Sequence, residues 1–278
     1  MVLTVGVFAY ARVRRQPILF LSAYPPVKIL VEWLSRLHPY AVMVVHHGEL
    51  AGLMPGHRAR YTPFVRRYFA WRRNPRLVDI FLSQGIARNA CRLMLTPPPA
   101  YRSVLHPCPP TAPRQGPRSG ASGANPAVGY FGTLIPENAQ RLQRIVQRLA
   151  ERRMRLGRED FRLRVIAPEA DQFELGGISS AQLIDTTRPL STEEFDRAVA
   201  SFDLVVLPYE AGQYDLIASS VASDCLRHGI HFLAARSAFF TDWIEANPGA
   251  GTLFTTFDAL LDRLGDLDTP LGGRADGT

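Results

Sequence analysis

The chain has 278 residues and a mass of 30.9 kDa, a length that suits two domains of about 100 to 200 residues better than one small module. Its 46% hydrophobic, 10% aromatic and 21% charged content excludes a mainly disordered polypeptide. The net charge of +7 is unevenly spread: residues 1–124 hold 17 basic against 3 acidic side chains, a balance of +14, whereas residues 125–278 carry −7.

No apolar stretch approaches the roughly 20 residues needed to cross a bilayer, so no transmembrane helix is expected. The opening TVGVFAYARVRR places its charges after the apolar run, unlike a secretory leader, and predicts a cytoplasmic protein. Cys91, Cys108 and Cys225 lack CxxC spacing, which excludes a disulfide framework and makes structural thiols the expectation.

In chain order, the basic half predicts strands at 18–22, 42–46 and 79–83, with a helix at 27–37 between the first two. Residues 96–126 hold nine of the 22 prolines and end in a Gly and Ser run, which cannot be a continuous helix or a central strand. A short strand at 102–106 still fits before the break. The expected division is a domain at 1–108, a linker at 109–126, a second domain at 127–264 and a flexible tail at 265–278.

In the acidic half, AVGYF at 127–131 predicts a strand, and Leu142, Ile145, Val146 and Leu149 fall at helical spacing within 138–153. FRLRVIA at 161–167 predicts the next strand. Ser191 followed by Glu194 forms a capping box that starts a helix. A buried strand at 204–207, a helix at 219–228 closed by Gly229 and a strand at 231–234 complete the alternation. Strand and helix in turn imply a parallel sheet covered on both faces, so the fold class is α/β with two Rossmann-like domains facing across a cleft.

The loop after the 204–207 strand leads to a helix that begins at Ser219 or Ser220. Its free NH groups and positive dipole end suit a phosphate; the bland reading of Ser219 is a plain N-cap. Around it stand YFGTL (130–134), RPLSTEEF (188–195), DLVVLPY (203–209) and YDLIASSVASDCLRHG (214–229). In order and spacing these resemble the donor-binding domain of GT-B glycosyltransferases of the retaining family 4 type, over about 130 residues. The resemblance implies that Gly132 and Thr133 lie against the donor phosphates and that Pro189 and Leu190 shape the nucleobase pocket. It further implies that Ser219 and Ser220 hold the diphosphate with Tyr214 nearby, and that Asp224 binds the ribose.

The chain also departs from that pattern. The family's motif has two Glu separated by seven residues, and the position eight before Asp224 is Leu216, with Asp215 and Glu210 as stand-ins. The family's phosphate-binding Lys is absent, leaving Arg141, Arg144 or Arg164 as substitutes, although guanidinium and ammonium are not interchangeable.

VMVVHHGEL at 42–50 puts a His pair, Gly and Glu at a strand end. It resembles the amino-domain strand of the same enzymes, where a His contacts the transferred sugar or the acceptor. His47 is the closer match, Glu49 is a second catalytic candidate, and His46 is expected to be packed behind them. With no HxxxH, HExxH or Cys partner, a metal site is not expected, and the resemblance implies no cofactor, with a nucleotide sugar as co-substrate.

From 57 to 76, seven Arg interleave with Tyr61, Phe64, Tyr68, Phe69 and Trp71. This composition suits an anionic membrane surface, with Arg66, Arg67, Trp71, Arg72 and Arg73 as contacts; a solvated basic face is the alternative. Single-stranded nucleic acid would use similar chemistry but has no accompanying motif.

The opening strand and Gly-rich turn of the resembled amino domain are not recognisable, so that domain is expected to be shortened. The reading is a cytoplasmic, peripheral-membrane glycosyltransferase taking a nucleotide-sugar donor and a lipid-linked or saccharide acceptor in surface polysaccharide or glycolipid assembly. A non-catalytic adaptor or a nucleotide-sugar epimerase on the same scaffold remains open.

Overall fold

The computed structural model describes residues 2–54, 60–72, 74–94, 97–106, 127–132, 136–156, 162–167 and 190–265, with the side chains of 2, 152–156, 162, 163 and 265 excepted. The proposed linker at 109–126 lies outside the described residues, as does the tail beyond Gly265. The chain forms two compact units, one of Met1–Pro107 with Gln213–Ser219, the other of Cys108–Gly212 with Ser220–Thr278.

The first unit contains α1 (Val2–Arg14), β1 (Ile18–Phe20), α2 (Pro25–Leu37), β2 (Val42–Val45), a 3-10 helix at Gly48–Leu53, α3 (Thr62–Trp71), β3 (Leu77–Phe81), α4 (Gln84–Leu93) and β4 (Tyr101–Ser103). Its sheet runs β1-β2-β3-β4, every pairing parallel. Pro25 and Pro26 open α2, where a missing NH costs nothing and the fixed φ is already helical. Ser83 caps α4 by accepting from the Ile86 amide at 3.1 Å.

The strands expected at 18–22 and 42–46 are shorter in the structure, and the one expected at 79–83 forms two residues earlier, at Leu77–Phe81. At the last expected strand of this unit the ladder covers Tyr101–Ser103 rather than 102–106, and all three of its residues are exposed, as befits an edge. The helix α1 was not foreseen. It is apolar on nearly every face, so it has no single buried stripe for periodicity to reveal; Thr4, Phe8 and Ala11 face inward while Leu3, Tyr10 and Val13 are exposed.

The second unit contains β5 (Ala127–Phe131), α5 (Pro136–Leu156), β6 (Arg162–Ile166), α6 (Thr192–Val199), β7 (Leu204–Leu207), α7 (Ser220–His228), β8 (His231–Ala235), α8 (Ala238–Ala246), β9 (Gly251–Phe254) and α9 (Phe257–Gly265). Its sheet runs β6-β5-β7-β8-β9, again all parallel. The alternation of β5 shows how both faces are filled. Val128 and Tyr130 join a core with Leu142, Ile145 and Leu149 of α5 and Leu260 and Leu264 of α9. Phe131 points the other way, packing edge-on against Phe195 of α6 and face-on against Phe202. Gly129 is required on that second face, because a Cβ there would stand 2.5 Å from the Phe202 ring.

The capping box at Ser191 forms as the sequence predicts: the Glu194 amide donates to Ser191 Oγ at 3.2 Å and the Ser191 amide donates to Glu194 Oε2 at 2.8 Å. α7 closes at Gly229, whose φ of 62° is the left-handed conformation that ends helices.

Strand order also locates the functional edge. The crossover from β5 leads to β6 on one side, and the chain then returns to place β7 on the other. The carboxyl ends of β5 and β7 are therefore the topological switch point, where open parallel sheets leave a crevice for ligands.

Candidate functional site

In the first unit a buried polar network runs from β3 to the loop after β2. The alternation of β3 turns Asp79 inward, beneath α3. Its Oδ1 accepts from Tyr68 OH at 2.6 Å and faces His46 Nε2 at 2.8 Å, and its Oδ2 accepts from Arg72 Nε at 2.9 Å. Arg72 also donates to the carbonyls of Asn74 and Ala100. His46 sits within 6 Å of the rings of Tyr68, Phe69 and Phe81, at 5.8, 5.1 and 5.4 Å. Burial alone would raise the Asp79 carboxyl, but the hydrogen bond and charge of His46, the Arg72 guanidinium and the Tyr68 hydroxyl hold it below its ordinary value.

On its other side His46 Nδ1 lies 3.0 Å from Lys28 Nζ and 3.1 Å from Glu49 Oε1. Lys28, the chain's single lysine, is buried on α2 and also donates to the Val45 carbonyl at 3.2 Å and to Glu49 Oε1. Burial pulls its ammonium below the ordinary range, with Glu49 and Asp79 offsetting part of that. Burial would likewise raise Glu49, yet the His46 hydrogen bond and the Lys28 charge outweigh it and hold the carboxyl far below the usual carboxylate range. The His47 amide donates to Glu49 Oε2 at 3.0 Å, and the His47 ring donates from Nε2 to the Leu21 carbonyl at 2.6 Å. Lys28 and His46 thus hold Glu49 in its ionised, hydrogen-bond-accepting form.

Glu49 and Gly48 form one wall of a cavity of about 350 Å³. The loop after β1, with Ser22 and Tyr24, and the start of α3, with Tyr61 and Thr62, supply the others.

Of the five residues expected at a membrane, the structure divides the set. Arg67 lies over the Trp71 ring at 3.8 Å, and both are exposed. Arg66 turns back to donate to the carbonyls of Gly52 and Met54 at 3.1 and 3.0 Å. Arg72 is corrected outright: it is 1% exposed and belongs to the Asp79 network. Arg73 lies outside the described residues. The exposed stripe is instead Phe64, Arg67 and Trp71 on one face of α3, with Arg60 exposed in the turn just before the helix.

In the second unit the switch point is occupied by Gly132 and the start of α7. Gly132 follows β5 with φ of 135°, and a Cβ there would lie 3.5 Å from Cγ2 of Val221, in the first turn of α7. Ser220 opens that helix and is exposed. One turn on, Asp224 meets Arg227 at 3.3 Å, and Arg227 and His228 both contact Asp196 of α6, at 2.5 and 3.2 Å. Burial raises the Asp224 carboxyl above its ordinary value, with Arg227 and His228 opposing.

Tyr214 and Ser219 fall in the segment that groups with the first unit, where the Asn89 amide of α4 donates to the Asp215 carbonyl at 3.3 Å. Ser219 is 2% exposed, and its Oγ has no hydrogen-bond partner among the described residues. Leu190 is half-buried immediately before the α6 cap. Thr133 and Pro189 lie outside the described residues.

The three candidate arginines separate clearly. Arg164 donates to Ser201 Oγ at 2.6 Å, beyond the amino-terminal side of β7, and Arg144 pairs with Asp258 at 2.5 Å. Arg141 pairs with Glu210 at 3.0 Å, directly past the carboxyl end of β7, and is the one of the three beside the switch point. Among the described residues no group of three or more His, Cys, Asp or Glu could hold a metal ion.

Lys28 and Asp79 were not singled out from the sequence. The signal available was one lysine among 31 arginines and an acidic residue inside a predicted strand of a strongly basic half.

No protein-family model matches the chain, and no curated protein matches it in sequence. Its structure is similar to the catalytic domain of starch synthase IV from Arabidopsis thaliana, solved with ADP and acarbose, at 10% identity, a TM-score of 0.55, and coverage of 94% of this chain and 68% of that one. The heptosyltransferase WaaC of E. coli, solved with ADP-2-deoxy-2-fluoro heptose, aligns at 11% identity and a TM-score of 0.33 over 90% of this chain and 99% of that one. A family 9 glycosyl transferase from Veillonella parvula aligns at 12% identity and a TM-score of 0.31 over 94% and 91%. At such identity the first likeness speaks to fold alone. With two parallel-sheet, Rossmann-like units it establishes the α/β architecture as GT-B in type.

Proposed function

We propose that the protein is a glycosyltransferase that moves a sugar from a nucleotide-sugar donor to a lipid-linked or saccharide acceptor, working at an anionic membrane surface in surface polysaccharide or glycolipid assembly. The observation that carries this reading is the approach of Gly132 to the first turn of α7 at the switch point of the second sheet. A glycine in a left-handed conformation brings bare backbone to a helix start whose unpaired NH groups attract anions, the arrangement a diphosphate needs.

In this reading Gly132, Thr133, Ser219 and Ser220 hold the diphosphate, with Tyr214 beside them. Asp224 takes the ribose hydroxyls, and Pro189 and Leu190 flank the base. Charge on the departing diphosphate is stabilised by the α7 NH groups and by Arg141, a scheme that calls for no metal and no cofactor beyond the nucleotide sugar. His47, with Nε2–H committed to Leu21, offers Nδ1 to a sugar hydroxyl. Retention is what the resemblance to family 4 implies; inversion would need a base at the acceptor, for which Glu49, tied to Lys28 and His46, is poorly suited and His47 is the other candidate. The Arg60, Phe64, Arg67 and Trp71 stripe is suited to lipid headgroups at the inner face of the membrane; nucleic acid is not the expected partner.

Calorimetric titration of the full chain with UDP, GDP and ADP and their sugars tests the reading. Binding of one nucleotide, lost when Ser219 and Ser220 are both replaced by Leu, is the expected result. No binding of any nucleotide overturns it.

A further inference from the structure

The cation that the diphosphate reading assigns to the switch point is already held by a carboxylate of the chain itself. Arg141, in the second turn of α5, pairs with Glu210 at 3.0 Å, and Glu210 stands three residues past the end of β7, on the loop that leads to α7. We propose that Glu210 is an internal latch on the donor site: it occupies Arg141 until the donor diphosphate takes its place. The proposal rests on the transferase reading for the identity of the anion, and on the ion pair and its setting in the second unit for the latch.

The loop fixes where that carboxylate starts from. Tyr209 is buried and stacks on the Phe240 ring of α8 at 6.3 Å, and its hydroxyl lies 3.9 Å from the point where a Cβ on Gly132 would stand. The Gly212 amide donates to the Arg236 carbonyl, just past β8, at 3.1 Å. Between these two anchors Glu210 and Ala211 are exposed. The carboxylate is therefore carried by an anchored stretch at the carboxyl edge of the sheet, the edge that also presents Gly132.

The two partners are unequal in a way that suits exchange. The Arg141 side chain is 21% exposed and the Glu210 side chain 53%, so withdrawing the carboxylate returns it to water, whereas the guanidinium stays behind in a mostly desolvated position that calls for an anion. An ion pair with so exposed a member contributes little to folding, which marks Glu210 as displaceable. A diphosphate offers the same guanidinium more charge and several acceptor oxygens, and arginine meets phosphate with two parallel hydrogen bonds. The like charges of carboxylate and diphosphate oppose joint occupation of Arg141, so one leaves as the other arrives.

The neighbouring charges distinguish a latch from a general field. Arg144 is taken by Asp258 and Arg164 by Ser201, so neither stands in for Arg141 while Glu210 holds it. Glu137 lies one turn before Arg141 on α5, is exposed, and is not paired with it. Glu137 and Glu210 thus carry the same charge near the same guanidinium and differ in contact with it. Removing either reduces repulsion of an incoming diphosphate; removing Glu210 alone also frees the guanidinium.

Calorimetric titration of the full chain with UDP, GDP, ADP and inorganic pyrophosphate tests the latch. In Glu210→Gln the affinity for pyrophosphate and for the nucleotide that binds should rise by about threefold to tenfold, whereas Glu137→Gln should raise it less than about twofold. In an Arg141→Gln background the gain from Glu210→Gln should fall to less than half, a coupling that plain repulsion does not produce. Unchanged or weaker diphosphate binding in Glu210→Gln, an equal gain in Glu137→Gln, or an equal gain with and without Arg141 would each overturn the latch. The same titrations separate the two readings. Nucleotide binding that Glu210→Gln leaves unchanged overturns the latch and keeps the transferase. Pyrophosphate binding that Glu210→Gln tightens, with no nucleotide bound by either chain, keeps the latch and overturns the transferase. No binding of any probe to either chain overturns both.

Discussion

His46 Nε2 lies 2.8 Å from Asp79 Oδ1, and neither side chain reaches solvent. Asp79 also bears the charge of Arg72, itself fully buried. Removing one member of a buried ion pair leaves the other uncompensated, which costs about 3–5 kcal/mol. Asp79→Asn should therefore destabilise the first unit by about that amount in urea unfolding of the full chain. Asp79→Leu combined with Arg72→Met removes both charges and should cost less than Asp79→Asn alone.

The same network makes stability depend on acid. Asp79 and Glu49 have folded-state pKa values below their ordinary ones of 3.8 and 4.5. Their contribution is fully present above those ordinary values and is lost as pH falls through the depressed ones, because in that window the unfolded chain binds protons that the fold refuses. The melting temperature should accordingly be flat with respect to these groups near pH 7 and decline below about pH 4.5. In Glu49→Gln the decline should be shallower. A wild-type melting temperature that stays constant from pH 5 to pH 3 would contradict the assignment.

Lys28 is the cation that neutralises Glu49 inside the fold. Lys28→Met keeps the length of the side chain, removes its charge and leaves burial to act on Glu49 opposed by His46 and the His47 amide. The Glu49 carboxyl should then titrate at a higher pH than in the wild type, read from the ¹³C shift of its carboxyl carbon. The variant should also destabilise the first unit, since a carboxylate mostly removed from water loses a buried cationic partner.

The exposed stripe of α3, with Arg60 in the turn before it, carries the membrane prediction. Each basic residue near an anionic surface contributes about 1 kcal/mol, so Arg60→Gln with Arg67→Gln should weaken binding to phosphatidylserine vesicles by about thirtyfold in flotation. Arg72→Gln should change vesicle affinity little while lowering stability. Equal binding of the wild type to neutral vesicles would count against an electrostatic surface.

How legible this was in the sequence depends on the kind of signal. The second unit was readable because its strands are short apolar runs separated by capped helices: AVGYF and LVVL are strands over the very residues expected, and the Ser191 and Glu194 box forms. Local chemistry determines those features. The first unit was less readable because its chemistry is non-local. His46, Lys28 and Asp79 lie 18 and 33 residues apart in the chain, and only the parallel pairing of β2 with β3 brings Asp79 beneath the imidazole. Arg72 was misassigned for a related reason: in an arginine-rich run composition cannot say which guanidinium faces inward, and the answer is set by the inward turn of Asp79. Tyr24 escaped notice because nothing in YPP distinguishes an aromatic at a cavity from one at an ordinary helix start.

Gly132 and Gly129 provide a matched pair that separates ligand binding from folding. At Gly132 the φ of 135° disfavours any side chain, and a Cβ would sit beside Val221 at the start of α7. Gly132→Ala should cost about 1–3 kcal/mol in stability from backbone strain and should also lower nucleotide affinity at least tenfold, since the added methyl occupies the approach to the helix NH groups. At Gly129 the clash is with the Phe202 ring, 2.5 Å from the new Cβ, on the strand interior and away from the switch point. Gly129→Ala should cost a comparable 1–3 kcal/mol by overpacking yet leave the affinity of the folded protein for UDP, GDP or ADP unchanged. Calorimetric titration paired with thermal unfolding of both variants distinguishes the cases. If Gly132→Ala binds nucleotide as tightly as Gly129→Ala does, the glycine serves only the turn after β5, and the diphosphate is not held there.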